Sequence, residues 1–124
     1  MRSFNEMFSD LLLLDDNTDK YTWIIDYGAG TVGLTQEHLT DQNLVRGCTS
    51  PLWVAKINGR LWAWGESSIV NGLASMICDW YNQASAEQRN SFGVKDLESI
   101  GLMPLLSMGR QNGVANLISR IKSL

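Results

Sequence analysis

The sequence predicts an α+β fold, in which a small three-stranded antiparallel sheet packs against several helices. Apolar residues recur at helical spacing before residue 15 and again after residue 68. Between these regions, two alternating apolar segments flank Asn58-Gly59. This dipeptide is the strongest short hairpin signal, because a type I′ turn needs a positive φ at both positions. The order of helices, hairpin and helices differs from the strand–helix alternation that builds a parallel sheet.

The N-terminal third is predicted to contain two helices. Apolar residues of the segment 4–12 fall on one helical face, and Ser3 forms a capping box with Glu6 at its start. A second helix begins near residues 18–19 and is closed by Gly28 and Gly30. The chain then runs as a connecting loop as far as the sheet.

The sheet is predicted from three short segments. A two-stranded hairpin of residues 52–57 and 60–64 is marginal by itself, so Leu44-Val45 is expected to add a third strand. The hairpin carries three tryptophans, Trp53, Trp62 and Trp64. We expect them to pack in the core, the alternative being that one of them lines a partner surface.

The C-terminal half is predicted to be helical. A long helix covers residues 69–83, and two further helices cover 94–100 and 111–123. Cys78 lies beside the apolar face of the long helix. We interpret it as a packing residue, because free cysteine is among the most buried residue types.

Composition limits the possible functions. With 124 residues the chain is long enough for one domain, predicted to span residues 1–124. A net charge of −3 and a pI near 5.0 argue against general nucleic-acid binding. Two cysteines are too few for a disulfide framework, and one histidine without a Cys-x-x-Cys pair argues against a metal site.

The sequence also bears on location. No secretory signal is evident, and no apolar run approaches the ~18–20 residues of a membrane span. We therefore expect a soluble, cytoplasmic protein without a membrane partner, present as a monomer or weak dimer.

The segment 45–53 is the best candidate for chemistry. Gly47 permits a tight turn, and Pro51 pushes the residue before it toward extended geometry, so Cys48 is predicted to sit on a shaped loop. The thiolate is the nucleophilic form of cysteine, and a nearby cation such as Arg46 favours it. His38 could in principle form a Cys–His pair, but its polar context favours a surface position.

The same segment resembles the SufE family, the Fe–S metabolism associated domain of sulfur-acceptor proteins. The resemblance lies in Gly47-Cys48 followed by Ser50 and Trp53. Four more pieces of the family pattern occur in the right order around it: the helix Lys20–Gly28, Gln42-Asn43, Ile69–Leu73, and Leu106-Ser107 with Arg110 and Asn112-Gly113. The chain resembles a divergent member, since Gly65–Ser68 lacks the family's second acid and Met108 replaces its usual proline.

The resemblance implies a function. A SufE-like chain takes persulfide sulfur from a cysteine desulfurase onto Cys48, stimulates that enzyme, and passes the sulfur to an iron–sulfur scaffold or another acceptor. The pyridoxal phosphate belongs to the desulfurase, so this chain is expected to bind no cofactor. The implied fold is SufE/NifU-like. The chain would act as a sulfurtransferase-like carrier rather than a free-standing enzyme.

The resemblance also implies roles around the cysteine. Gly47, Ser50 and Arg110 would support the loop, whereas Arg46 and Glu66 would contact the partner. Two alternatives remain open from the residues: a small thiol-dependent enzyme, or a divergent interaction module that regulates a desulfurase.

Overall fold

The computed structural model describes residues 2–124 and has the predicted α+β class. A hairpin lies between an N-terminal and a C-terminal group of helices, and short 3-10 turns join several elements. The elements are α1 (Phe4–Met7), α2 (Asn17–Ala29), β1 (Leu52–Ile57), β2 (Arg60–Gly65), α3 (Ser68–Gln83), α4 (Ala86–Ser91), α5 (Val94–Ser99) and α6 (Met108–Ser123).

The hairpin forms as the Asn-Gly signal predicts. Asn58 and Gly59 have φ angles of 52° and 79°, and β1 pairs with β2 from Leu52↔Gly65 to Ile57↔Arg60. Both central residues of the turn therefore have the positive φ of a type I′ turn, whose twist matches that of the strands.

The predicted third strand is wrong in extent. Leu44 forms only an isolated bridge with Trp53, and Val45 N–H donates to the Leu52 carbonyl at 2.7 Å. A 3-10 turn over Asp41–Asn43 ends just before this pair, and Gly47 at φ +82° turns the chain away just after it. The segment is thus too short to extend a ladder, and the sheet has two strands.

Helix α3 packs against both the hairpin and α2. It crosses α2 at a close approach of two glycines, where a Cβ on Gly72 would overlap the Ile24 carbonyl and a Cβ on Gly28 would lie 2.8 Å from the Gly72 Cα. Of the two glycines predicted to close α2, Gly28 lies inside the helix at this helix–helix contact. Gly30 caps the C-terminus of α2, as predicted.

The tryptophan prediction is wrong as well. The inward face of the hairpin is formed by smaller buried residues: Leu52, Val54, Leu61 and Ala63. Because side chains alternate along a strand, Trp53, Trp62 and Trp64 project from the other face, where all three are only half-buried. Trp53 and Trp64 are paired across the strands with ring centroids 5.8 Å apart.

Helix boundaries differ at both ends of the chain. The capping box of Ser3 and Glu6 is present, but α1 ends at Met7 and continues as a 3-10 turn, which leaves Leu12 54% exposed. Helix α6 begins at Met108, three residues earlier than predicted, because Ser107 caps it.

Candidate functional site

The cysteine loop, residues 46–51, leads from the Leu44 bridge into β1. Gly47 adopts the positive φ that the sequence suggested, and the turn it makes places Cys48 at the edge of the core. Cys48 is partly exposed, in contrast to the buried Cys78. The loop thus presents one thiol on a backbone held at both ends by the sheet.

Helix α6 lies directly beneath the loop. Two of its glycines face loop side chains: a Cβ on Gly113 would overlap both the Cβ and the Sγ of Cys48, and a Cβ on Gly109 would overlap Thr49. The absence of side chains at these positions lets the loop rest on the helix. This close approach gives a physical reason for the glycine in the Asn112-Gly113 piece of the sequence pattern.

Two further side chains of α6 hold the beginning of the loop and the residues just before it. The Asn116 Nδ2 donates to the Arg46 carbonyl at 2.8 Å. The Arg120 guanidinium donates to the Leu44 carbonyl at 3.3 Å and also to the Gln42 carbonyl. These bonds satisfy backbone acceptors of a segment that has little ladder of its own.

Sequence reasoning missed Asn116 and Arg120. The signal that could have found them is their spacing, because Gly109, Gly113, Asn116 and Arg120 follow one another at i, i+4, i+7 and i+11. Such residues share one helical face. A helix face that carries two glycines and two long side chains with hydrogen-bond donors is suited to packing against a loop.

Arg110 also reaches the cysteine loop. Its Nε donates to the Ser50 Oγ at 3.3 Å, and its own backbone N–H is capped by Ser107. The structure therefore brings together Gly47, Cys48, Ser50 and Arg110, residues that lie up to 63 positions apart in the chain.

The two predicted partner-binding residues flank this group. Arg46 lies in the loop with an exposed side chain. Glu66 is exposed as well, and its backbone N–H donates to the Pro51 carbonyl at 3.0 Å, which places it beside the end of the loop. A molecule that docked over Cys48 would meet charges of both signs.

The other residues considered for chemistry lie elsewhere. Cys78 is 3% exposed in α3, and burial raises the pKa of its thiol to about 12. It is therefore protonated at neutral pH, which agrees with a packing role. His38 is half-buried with its Nε2 3.6 Å from Glu37 Oε1, and no hydrogen bond or ion pair recorded for residues 2–124 joins it to Cys48.

Two broader features are absent from residues 2–124. Within the described part of the chain, no group of three or more His, Cys, Asp and Glu side chains is arranged to hold a metal ion. None of the helices over the same residues is both long and apolar enough to cross a membrane.

Comparison with known proteins gives consistent results. The family model "SufE: Fe-S metabolism associated domain" matches residues 5–124. An uncharacterised SufE-like protein of Rhizobium etli is 30% identical over 131 aligned positions, covering 98% of this chain and 88% of the relative. A second, from Rhizobium meliloti, is 31% identical over 132 positions, covering 99% and 94%.

Proposed function

Because the chain belongs to the SufE family, whose domain is associated with Fe–S metabolism, we propose that it is a sulfur acceptor that works with a cysteine desulfurase. Cys48 receives the sulfur and later passes it to an iron–sulfur scaffold or another acceptor. The pyridoxal phosphate that the desulfurase uses stays on that enzyme, and this chain binds no cofactor of its own. The protein acts in the cytoplasm as a monomer or weak dimer.

One observation carries the proposal: of the two thiols, only Cys48 is accessible, and it lies on a loop that is already shaped and held. A sulfur carrier must meet a persulfide on another protein, which requires a thiol near the surface. It must also keep that thiol in a fixed orientation, because correct positioning accounts for much of the rate of such a transfer.

The transfer itself is a thiol–disulfide type of exchange. The Cys48 thiolate attacks the outer sulfur of the desulfurase persulfide, an S–S bond forms to Cys48, and the original S–S bond breaks. The electron pair of the broken bond stays with the desulfurase cysteine, which leaves as a thiolate. Clearing the persulfide in this way frees the desulfurase for another turnover.

The surrounding residues have supporting roles in this proposal. Gly47 allows the turn, and the bond from Arg110 to Ser50 fixes the side of the loop nearest α6. Arg46 and Glu66, both exposed at the loop, contact the desulfurase.

The test is mass spectrometry of the protein after incubation with a desulfurase of the same cell and L-cysteine, without reductant. Wild-type protein gains one sulfur on the peptide that contains Cys48. Cys48→Ser gains none, whereas the matched control Cys78→Ala behaves like wild type. Sulfur gain that persists in Cys48→Ser contradicts the proposal, and no gain with any desulfurase of that cell favours an interaction module instead.

A further inference from the structure

A cleft lies at the far end of the hairpin from the cysteine loop. The loop joins the first residue of β1, whereas this cleft is lined by Lys56 near the end of β1 and by Gly59 of the turn. Residues of α3, α4 and α6 form its other walls, and its volume is about 160 Å³. We call it the basic cleft, after the three cations that line it: Lys56, Arg89 and Lys122.

The charge of the basic cleft is unbalanced. No Asp or Glu lines it, although the chain as a whole carries a net charge of −3. The one ion pair found among residues 2–124 joins His38 and Glu37, so no carboxylate in that part of the chain pairs with Lys56, Arg89 or Lys122. The terminal carboxylate of Leu124 also lines the cleft but lies within ion-pair distance of none of the three cations, which therefore keep a positive potential that attracts an anion.

A buried hydroxyl adds an unused donor. Tyr81 also lines the cleft and is only 1% exposed, yet its hydroxyl group has no hydrogen-bond partner in the described structure. A buried polar group without a partner is costly, and native proteins rarely keep one without a reason. Burial raises the pKa of this phenol to about 12, so at neutral pH the group keeps its proton and can donate.

Two of the cations are held in place by backbone contacts. The Arg89 Nε donates to the Tyr81 carbonyl at 2.9 Å, and the Lys122 Nζ donates to the Phe92 carbonyl at 2.5 Å. The terminal nitrogens of Arg89 and the Lys56 ammonium make none of the hydrogen bonds recorded for the described residues. The terminal nitrogens of Arg89 are thus positioned but unused, which lowers the entropy cost of binding a ligand.

From these observations we propose that the basic cleft binds a phosphate group, either as inorganic phosphate or as a small phosphate monoester. A phosphate offers several acceptor oxygens and up to two negative charges, which match an arginine fork, two ammonium groups and a hydroxyl donor. The small volume of the cleft limits what else the ligand can carry. The site is independent of the chemistry at Cys48.

The test is isothermal titration of the full chain with sodium phosphate and, in a second arm, with methyl phosphate, each against sodium chloride of equal ionic strength. We expect saturable binding in at least one arm, and the tighter arm identifies the source of the phosphate group. Lys56→Gln weakens binding about threefold, as for an exposed ion pair. The matched control Lys95→Gln, an exposed lysine outside the cleft, leaves it unchanged.

Tyr81→Phe distinguishes an effect on phosphate binding from an effect on the stability of the fold. Loss of the hydroxyl weakens phosphate binding about tenfold, as expected for a hydrogen bond to a charged group. The Tm of the free variant stays the same or rises, because a buried group without a partner has been removed. Absence of saturable binding in both arms overturns the proposal, and so does equal weakening by Lys56→Gln and Lys95→Gln.

Discussion

Gly113→Ala tests the contact between the cysteine loop and α6. In an exposed helix interior this change stabilises the protein by up to about 1 kcal/mol, because alanine is the better helix former. At this position the new Cβ would overlap the Cβ and Sγ of Cys48. Overpacking of this kind costs about 1–3 kcal/mol.

The two effects oppose each other, so the net change in the free energy of unfolding lies between zero and about 2 kcal/mol of destabilisation. The strain is also relieved if the loop moves off the helix. In that case the unfolding energy changes little, but Cys48 becomes more exposed. Either outcome separates this glycine from an ordinary helical one.

Two assays together distinguish destabilisation of the protein from movement of the loop. Urea unfolding gives the stability, and the rate of iodoacetamide modification of Cys48 under native conditions gives its exposure. The control is Asn112→Ala, at the neighbouring exposed position of the same helix, which is expected to stabilise the protein by a few tenths of a kcal/mol. If Gly113→Ala stabilises as much as this control and leaves the modification rate unchanged, the proposed packing of loop on helix is incorrect.

The other predictions concern the second thiol, the loop anchors and the helix crossing. In native protein at pH 8, iodoacetamide modifies Cys48 but reaches Cys78 only after unfolding, and native modification of both would contradict the burial of Cys78. Burial raises the pKa of Cys78 in the folded state. The stability that the protonated thiol contributes is therefore complete below about pH 9 and is lost as the pH rises toward about 12. We expect Cys78→Ala to lose less stability at alkaline pH than wild type, as measured by urea unfolding. Arg120→Met removes the donors to the Leu44 and Gln42 carbonyls just before the cysteine loop, which costs about 1–3 kcal/mol and speeds modification of Cys48. An unchanged rate would mean that these bonds do not hold the loop. Gly72→Ala places a Cβ against the Ile24 carbonyl and lowers the unfolding energy by about 1–3 kcal/mol or more, and a variant as stable as wild type in urea would contradict the close helix crossing.

Local patterns were sufficient to predict the elements whose geometry depends on neighbouring residues. Asn58-Gly59 predicted the hairpin because only a few residue types accept positive φ twice in succession. Ser3 and Glu6 predicted the first capping box because its bonds span three residues. The glycine before Cys48 likewise predicted the turn that displays the thiol.

Predictions that depended on distant contacts failed or were incomplete. Size and apolarity predict that the tryptophans lie in the core, but the register of the hairpin turns them to its other face. The sequence predicts a third strand at Leu44-Val45, but the turns on either side leave room for only one bridge. The roles of Cys48, Arg110 and Glu66 remain predictions, although all three are now placed at one loop.

The sequence by itself determined the α+β class, the hairpin turn and the identity of the loop that carries Cys48, because each follows from residue types within a few positions of one another. Only the tertiary structure decided that Gly113 lies against that cysteine and that Asn116 and Arg120 hold its backbone. It alone also brought Lys56, Arg89 and Lys122 to the cleft that Tyr81 lines. These arrangements join residues tens of positions apart, and their geometry is set by how α3 and α6 pack around the hairpin rather than by any local preference of the chain.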